Sequence, residues 1–383
     1  MKVLFLAPST QLSLHFLSGW ARAFLSLGCG FKHLDPSQEE VNGLLREHGA
    51  DLILTSAGEG LVYLDVDLVN EIGAKVVYAA LPYNSAGASF DPQTPLAPPK
   101  EMEILSKLKH RVAWTQHEPH LHPYFYKGYK DREIPLVYLP YCADLTSEVP
   151  LVEPPFPTKD LFFIGNLGHR KKGNLEILTQ LFSRLAPERV EVHGDQEWER
   201  LFGIKTQPLS HQTPWGPLYQ GAAVCPNLHN WHQKSRLLQV NDRTFHIAQY
   251  GGFQLTDHPL AAKFFGPEEL AIAPSAQEFV DQFFYYLEQP QLRLEMVKKA
   301  RARIAKDHSY FNRIAALFAA LGINQPVTWQ GRTFEATPFA PGFEYPWTLG
   351  RKLKTTVETD VYLVGRAIKR GLKKFKAKRT SQP

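Results

Sequence analysis

The sequence predicts an α/β protein of 383 residues built as two Rossmann-like domains. Three observations carry this. Short β-rich apolar runs alternate with longer stretches of helical period, the pattern of parallel strands joined by crossover helices. A cluster of prolines, Pro150, Pro154, Pro155 and Pro157, interrupts that alternation once, after which it restarts. Apolar residues make up 44% and charged residues 21%, ordinary globular usage that excludes a disordered or fibrous chain.

In the first half, strands are expected at 3–7, 51–56, 75–79, 111–115 and 136–139, and helices at 12–27 and 36–48. The second helix has a start signal: Asp35 as cap, Pro36 at the first helical position, and Glu39 and Glu40 in the first turn. These elements form an N-terminal domain over 1–150, and the proline-rich stretch 151–158 is a linker because each proline removes a backbone donor and fixes φ. The second domain, 159–323, has strands at 160–164, 190–193, 222–225, 252–256 and 270–273. Its helices fit at 174–185, 241–250, 277–288, 291–306 and 310–321. A cleft between two such domains is a natural ligand site. From 324 to 350, Pro326, Pro338, Pro341 and Pro346 among aromatics read as an extended strap, followed by a basic tail to 383.

The net charge of +5 is a sum of unlike parts. Residues 351–383 carry 11 Lys or Arg against Glu358 and Asp360, a net of +9, which leaves the rest of the chain at −4. A face-wide phosphate-binding surface for nucleic acid would need basic charge spread through the body, so nucleic acid is excluded as a partner. Within the tail, Val357, Val361, Val364, Ile368, Leu372 and Phe375 form one helical apolar stripe flanked by cations. Two readings stand: an interfacial helix over 355–378 on an anionic membrane surface, or a terminal helix packed on the body. Cys29, Cys142 and Cys225 are far apart and odd in number, which suits a reducing compartment and excludes a disulfide framework. The apolar start is too short for a signal peptide, and no window reaches the length of a spanning helix. The expected location is the cytoplasm, with the tail offering peripheral attachment to the inner face of the membrane.

Two segments carry chemistry. Phe162-Phe163-Ile164-Gly165-Asn166-Leu167-Gly168-His169-Arg170-Lys171-Lys172-Gly173 is a strand running into a glycine-rich basic turn and a helix. Such a turn lets the backbone approach an anion that helix N–H groups and cations attract; the bland alternative is a solvated loop. It is neither Gly-x-Gly-x-x-Gly nor a Walker loop, so nicotinamide binding and P-loop hydrolysis are disfavoured. The second segment runs from Asn241-Asp242-Arg243 through His246 to Gly251, then along a buried strand to Asp257, whose side chain falls at the strand's carboxyl end beside the crevice. His229-Asn230-Trp231-His232 lies in a loop at that same edge, where Trp231 either stacks on a ligand or packs its own loop. His117-Glu118-Pro119-His120-Leu121-His122 has the look of a metal cluster, but Pro119 breaks the spacing that would align its ligands, and no metal site is expected.

The 241–257 segment, with Glu268-Glu269-Leu270, the 277–287 helix and His308-Ser309-Tyr310, resembles the C-terminal domain of GT-B glycosyltransferases, nearest to the CgeB-like group, over about 160–321. Tyr138-Leu139-Pro140-Tyr141-Cys142-Ala143-Asp144 is similar to the stretch such folds carry before the linker. The resemblance implies a GT-B enzyme whose second domain holds a nucleotide-diphosphate sugar and whose first holds a glycan, lipid-linked or surface-polymer acceptor, with no cofactor and no metal. It assigns donor contacts to Gly165, Asn166, Arg170, Lys171, Arg243, His246, Gly251 and Asp257. His246 stands where the family pattern has a ribose-binding Glu, and Leu238 where retaining members have an acid. If the reaction inverts, a base for the acceptor hydroxyl comes from the strand ends of the first domain, where His15, Glu59 and His117 are candidates. A sugar-nucleotide epimerase and a non-catalytic binding protein of the same architecture are the alternatives.

Overall fold

The computed structural model describes residues 1–337 other than 9–10, 56–59, 81–98, 118–125, 148, 153–156, 168–170, 209–212, 214 and 237–238, and omits the side chains of 11–17, 171–172, 232 and 235–236. The basic tail, with its membrane reading over 355–378, lies outside the described residues.

The first sheet has strands β1 (Lys2–Leu6), β2 (Gly30–Leu34), β3 (Leu52–Thr55), β4 (Lys75–Ala79), β5 (Arg111–Thr115) and β6 (Leu136–Tyr138). All pair in parallel, in the order β2-β1-β3-β4-β5-β6. Helices α1 (Gln11–Ser26), α2 (Val41–His48), α3 (Val66–Ile72), α4 (Pro99–Lys107) and α5 (Lys127–Lys130) fill the connections. Because side chains alternate across a strand, Leu4, Leu6, Ile53, Val76 and Tyr78 enter a core with α2, α3 and α4. Val3, Phe5, Leu52, Leu54 and Val77 enter a second core on the opposite face, with Trp20 and Phe24 of α1. Sheets covered on both faces read as continuous apolar runs, which is why β1, β3 and β4 stand out in the sequence.

The second sheet has β7 (Lys159–Ile164), β8 (Val190–His193), β9 (Thr206–Gln207), β10 (Ala222–Asn227), β11 (Gln254–Thr256) and β12 (Ala271–Ile272). Its order is β12-β11-β10-β7-β8-β9, again parallel. Its helices are α6 (Lys171–Phe182), α7 (Glu197–Phe202), α8 (Trp215–Gln220), α9 (Trp231–Arg236), α10 (Arg243–Gln249), α11 (Ala276–Leu287), α12 (Pro290–Asp307) and α13 (Tyr310–Ala320). Two parallel sheets with covering helices, one domain after the other, are the expected two-domain α/β fold.

Three local expectations are corrected. The helix assigned to 36–48 begins at Val41, because the Glu40 side chain, not Asp35, caps it by accepting from the Gly43 N–H. Asp35 instead closes its own turn by accepting from Ser37 N at 3.1 Å. The edge strand β2 was not expected, since Gly-Phe-Lys-His-Leu offers little periodicity over 5 residues. The strap is partly a hairpin, β13 (Val327–Trp329) and β14 (Arg332–Phe334), packed on α13.

The two domains meet at a built joint. His308-Ser309-Tyr310 forms it: Ala143 N donates to His308 O at 2.8 Å, and Tyr310 N donates to Ala143 O at 3.1 Å. Ser309 and Asn312 form a capping box that starts α13. The helix then crosses to the first domain, burying Phe311, Ile314 and Leu317 in the core that holds Val3 and Phe5. Arg313, 1% exposed, donates to the carbonyls of Pro140 at 2.9 Å and Tyr141 at 3.1 Å. Arg22 of α1 pairs with Asp144 at 2.5 Å, and Asp144 N donates to Gln249 of α10 at 2.8 Å.

Candidate functional site

In the second sheet, strand order reverses between β7 and β10. Chains leaving the carboxyl ends of two such strands turn away from each other and leave a crevice, where open α/β sheets bind ligands. Of the residues expected to bind, Gly165, Asn166, Arg243 and Asp257 lie at this end of the sheet, whereas Gly251 precedes β11 at the amino end, against Leu151 and Gln220, and is not part of the crevice.

After β7, Gly165 takes φ +139, which L side chains rarely adopt, and Gly165 N donates to His193 O at 2.8 Å. A Cβ on Gly194, after β8, would sit 2.4 Å from Gly165 O, so both glycines are required for the two turns to touch. Trp198 Nε1 donates to Gly165 O at 2.9 Å, and Leu167 N donates to Asp195 Oδ1 at 3.0 Å. The turn through Gly165 and Asn166 is therefore held from beneath. Arg170 lies outside the described residues, as does the side chain of Lys171, which opens α6.

Arg243 straddles the crevice. Its guanidinium donates to Ile164 O at 2.7 Å, at the end of β7, and to Leu228 O at 2.6 Å, just past β10. It lies 4.9 Å over the Phe163 ring, and burial lowers its pKa. A buried cation satisfied by main-chain carbonyls ties the end of β7 to the segment after β10.

Asp257, at the end of β11, is 1% exposed. It accepts from His229 N at 3.0 Å and His229 Nδ1 at 2.8 Å, and its other oxygen pairs with Lys234 Nζ at 2.7 Å. Burial alone would raise its pKa, but the His229 and Lys234 contacts outweigh burial and hold it at about 2. Because His229 Nε2 accepts from Asn241 N at 3.1 Å, the ring carries its proton on Nδ1. Lys234 spends its remaining donors on Gly173 O at 3.0 Å and Asn174 Oδ1 at 2.6 Å, and Asn174 Nδ2 donates to His229 O at 2.7 Å. Asn227 donates to Thr244 Oγ1 at 2.9 Å and Gln254 Oε1 at 2.8 Å and accepts from Asn241 Nδ2 at 2.8 Å. This buried network joins the start of α6, the ends of β10 and β11, and the start of α10 into one frame. Asp257 and Arg243 thus act from within the walls of the crevice. His246 is half-buried on α10, and Gly251 ends that helix at φ +80.

Trp231 is half-buried, its Cδ1 3.3 Å from where a side chain on Gly173 would start, so it packs on the first turn of α6. Lys234 and Asn174 escaped sequence reasoning because nothing in their spacing distinguishes them from surface residues; Asn227 followed an apolar strand without a motif.

On the first domain, Glu59 lies outside the described residues, and His15 sits in α1 with its side chain undescribed. Past β5, His117 N donates to Thr115 Oγ1 at 3.0 Å, His117 Nδ1 meets the Tyr126 hydroxyl at 3.1 Å, and that hydroxyl meets Thr115 Oγ1 at 2.6 Å. Gln116 lines a small hollow with Tyr141 and Arg313, so this strand end opens beside the domain joint. Glu118, His120 and His122 lie outside the described residues; among those described, no group of three metal-ligating side chains occurs. No helix among them is long and apolar enough to cross a membrane.

Residues 170–319 match a family model described as "Glycosyl transferase-like". No curated protein matches the chain. Among solved structures, a sucrose-phosphate synthase from Thermosynechococcus elongatus is similar at 10% identity and TM-score 0.54, covering 85% of this chain and 100% of that one. A UDP-GlcNAc 2-epimerase from Neisseria meningitidis bound to UDP-GlcNAc aligns at 10% identity and TM-score 0.46, over 83% of this chain and 100% of that one. The chain has the GT-B fold.

Proposed function

We propose that the protein is a glycosyltransferase that moves a sugar from a nucleotide-diphosphate donor to a glycan or lipid-linked acceptor, and that it belongs near the CgeB-like group. The observation that carries this is the glycine-turned crevice between β7 and β10, opening at the start of the 170–319 segment that matches a glycosyltransferase-like family. The diphosphate would lie at the Gly165–Asn166 turn and the start of α6, a helix of 12 residues whose first N–H groups have no intrahelical acceptor. As the anomeric bond breaks, charge builds on the leaving diphosphate, and Arg170 and Lys171 would neutralise it in place of a metal. Arg243 and Asp257 contribute by holding the lips of the crevice, and His246 would meet the ribose through a ring nitrogen. The helix over 355–378, within the +9 segment 351–383, would bring the enzyme to an anionic membrane where a lipid-linked acceptor resides.

The test is to incubate the full chain with uridine-, guanosine-, cytidine- and thymidine-diphosphate sugars and follow the nucleotide and the sugar by mass spectrometry. Release of nucleoside diphosphate that accelerates with an added acceptor supports transfer. Epimerised donor without release would instead establish the epimerase chemistry, and no change to any donor would leave a binding protein.

A further inference from the structure

We propose that Lys234, on α9, is a positioning residue for the donor diphosphate: its ammonium bridges Asp257 to the first turn of α6 and fixes how that turn presents its N–H groups. This rests on the reading that the diphosphate lies at that turn. The turn is not regular helix. Gly173, the third residue of α6, takes φ +88, against about −63° along an α-helix. Only glycine enters that region without penalty, and a bend of this kind persists where its surroundings hold it. Helix α9 supplies the hold. A Cβ on Gly173 would meet Trp231 Cδ1 at 3.3 Å and Lys234 Cε and Nζ at 3.8 Å, so the bend packs against two side chains of α9. The carbonyl of Gly173 and the buried side chain of Asn174, the next residue, both accept from Lys234 Nζ, at 3.0 and 2.6 Å.

The helix that carries Lys234 is itself fixed. Lys234 N donates to Asn230 O at 3.2 Å, and Asn230 N donates to Gln233 Oε1 at 3.0 Å. His258 Nδ1 accepts from Leu260 N at 3.1 Å, so Nε2 carries the proton and donates to Gln233 O at 3.1 Å. The other end of the bridge is Asp257, a buried carboxylate 2.7 Å from Lys234 and held by His229. An ammonium has three protons, and Gly173 O, Asn174 Oδ1 and Asp257 Oδ2 take all three. Lys234 therefore has no donor left for a ligand, and Asp257 offsets its charge. What the pair transmits is position: the end of β11, through Lys234, sets the bend at Gly173 and with it the direction of the first-turn N–H groups.

The test is calorimetric titration of the full chain with uridine, guanosine, cytidine and thymidine diphosphate, at a temperature where each variant is folded. Lys234→Met keeps the side chain's length and loses its donors. It should bind the diphosphate that the wild type prefers about tenfold more weakly. Hydrogen exchange should show nucleotide protecting the amides of 173–175 in the wild type and failing to protect them in the variant. Gly173→Ala, which strains the same bend with the ion pair intact, should lose affinity likewise, and it carries the test should Lys234→Met not fold. Lys234→Met combined with Asp257→Asn removes both charges, and the loss should remain. Affinity recovered in that double variant would assign the loss to a bare carboxylate and overturn the positioning role, as would wild-type affinity in Lys234→Met. A wild type that binds none of the four diphosphates would overturn the donor-site reading, and the positioning role with it.

Discussion

Asp257 was expected to face a ligand, and its full burial assigns it a different use. A carboxylate held at about 2 stabilises the fold above its unfolded value near 4, and that contribution disappears as pH falls from about 4 to 2. The shift is worth about 2 kcal/mol. Asp257→Asn should therefore be less stable than wild type at pH 7 by at least this amount, and the difference should shrink on acidification; denaturant unfolding at pH 7 and pH 3 reads both. Arg243→Met should cost about 3 kcal/mol, since two strand-end carbonyls lose a buried cation, and should weaken nucleotide binding by freeing the end of β7 from the segment after β10, measurable by unfolding and by titration. The sequence assigned Gly165 and Asp257, at strand ends, and Arg243, at a helix start, to one crevice. It did not distinguish framework from ligand contact, because a buried arginine and a phosphate-binding arginine share the same local pattern. Only the partners Ile164 and Leu228, 79 and 15 residues away, separate the two.

At the scale of elements, the joint between domains should lose stability in acid. His308 Nε2 donates to Phe264 O at 2.9 Å inside a ring of Phe245, Phe264 and Phe265, and burial pushes its pKa down to about 3. Its folded value lies below its unfolded value near 6.5, so the joint is at full strength above pH 6.5 and weakens as pH falls toward 3, by up to about 5 kcal/mol. His308→Gln keeps a donor without the titration, and its unfolding free energy should depend less on pH over that window than the wild type's. Phe311→Ala should cost about 3–5 kcal/mol by emptying the space between Trp329 and Phe334, whose rings lie 4.8 and 4.9 Å away. Calorimetry on the intact chain measures that loss. Helix α13 was expected from its apolar period, but a stripe says only that a helix packs, not against which sheet. The start of α2 was misplaced for a related reason: Asp35 and Glu40 are both competent caps, and the sequence does not rank them.

For the whole molecule, the parallel sheets were legible because strands buried on both faces are apolar throughout, whereas β2 and β9, at sheet edges, lack that signature. The charge division between body and tail yields its own prediction: liposome flotation should recover the full chain on anionic vesicles and lose it when the chain ends near Gly350, and equal recovery would refute a membrane role for 355–378. The crevice between β7 and β10 should bind a nucleoside diphosphate. Thermal denaturation of the full chain with uridine, guanosine, cytidine or thymidine diphosphate checks this. One of the four should raise the midpoint in a concentration-dependent way, and Arg170→Ala should abolish the shift without lowering the unliganded midpoint. Midpoints unmoved by all four at millimolar concentration would contradict it.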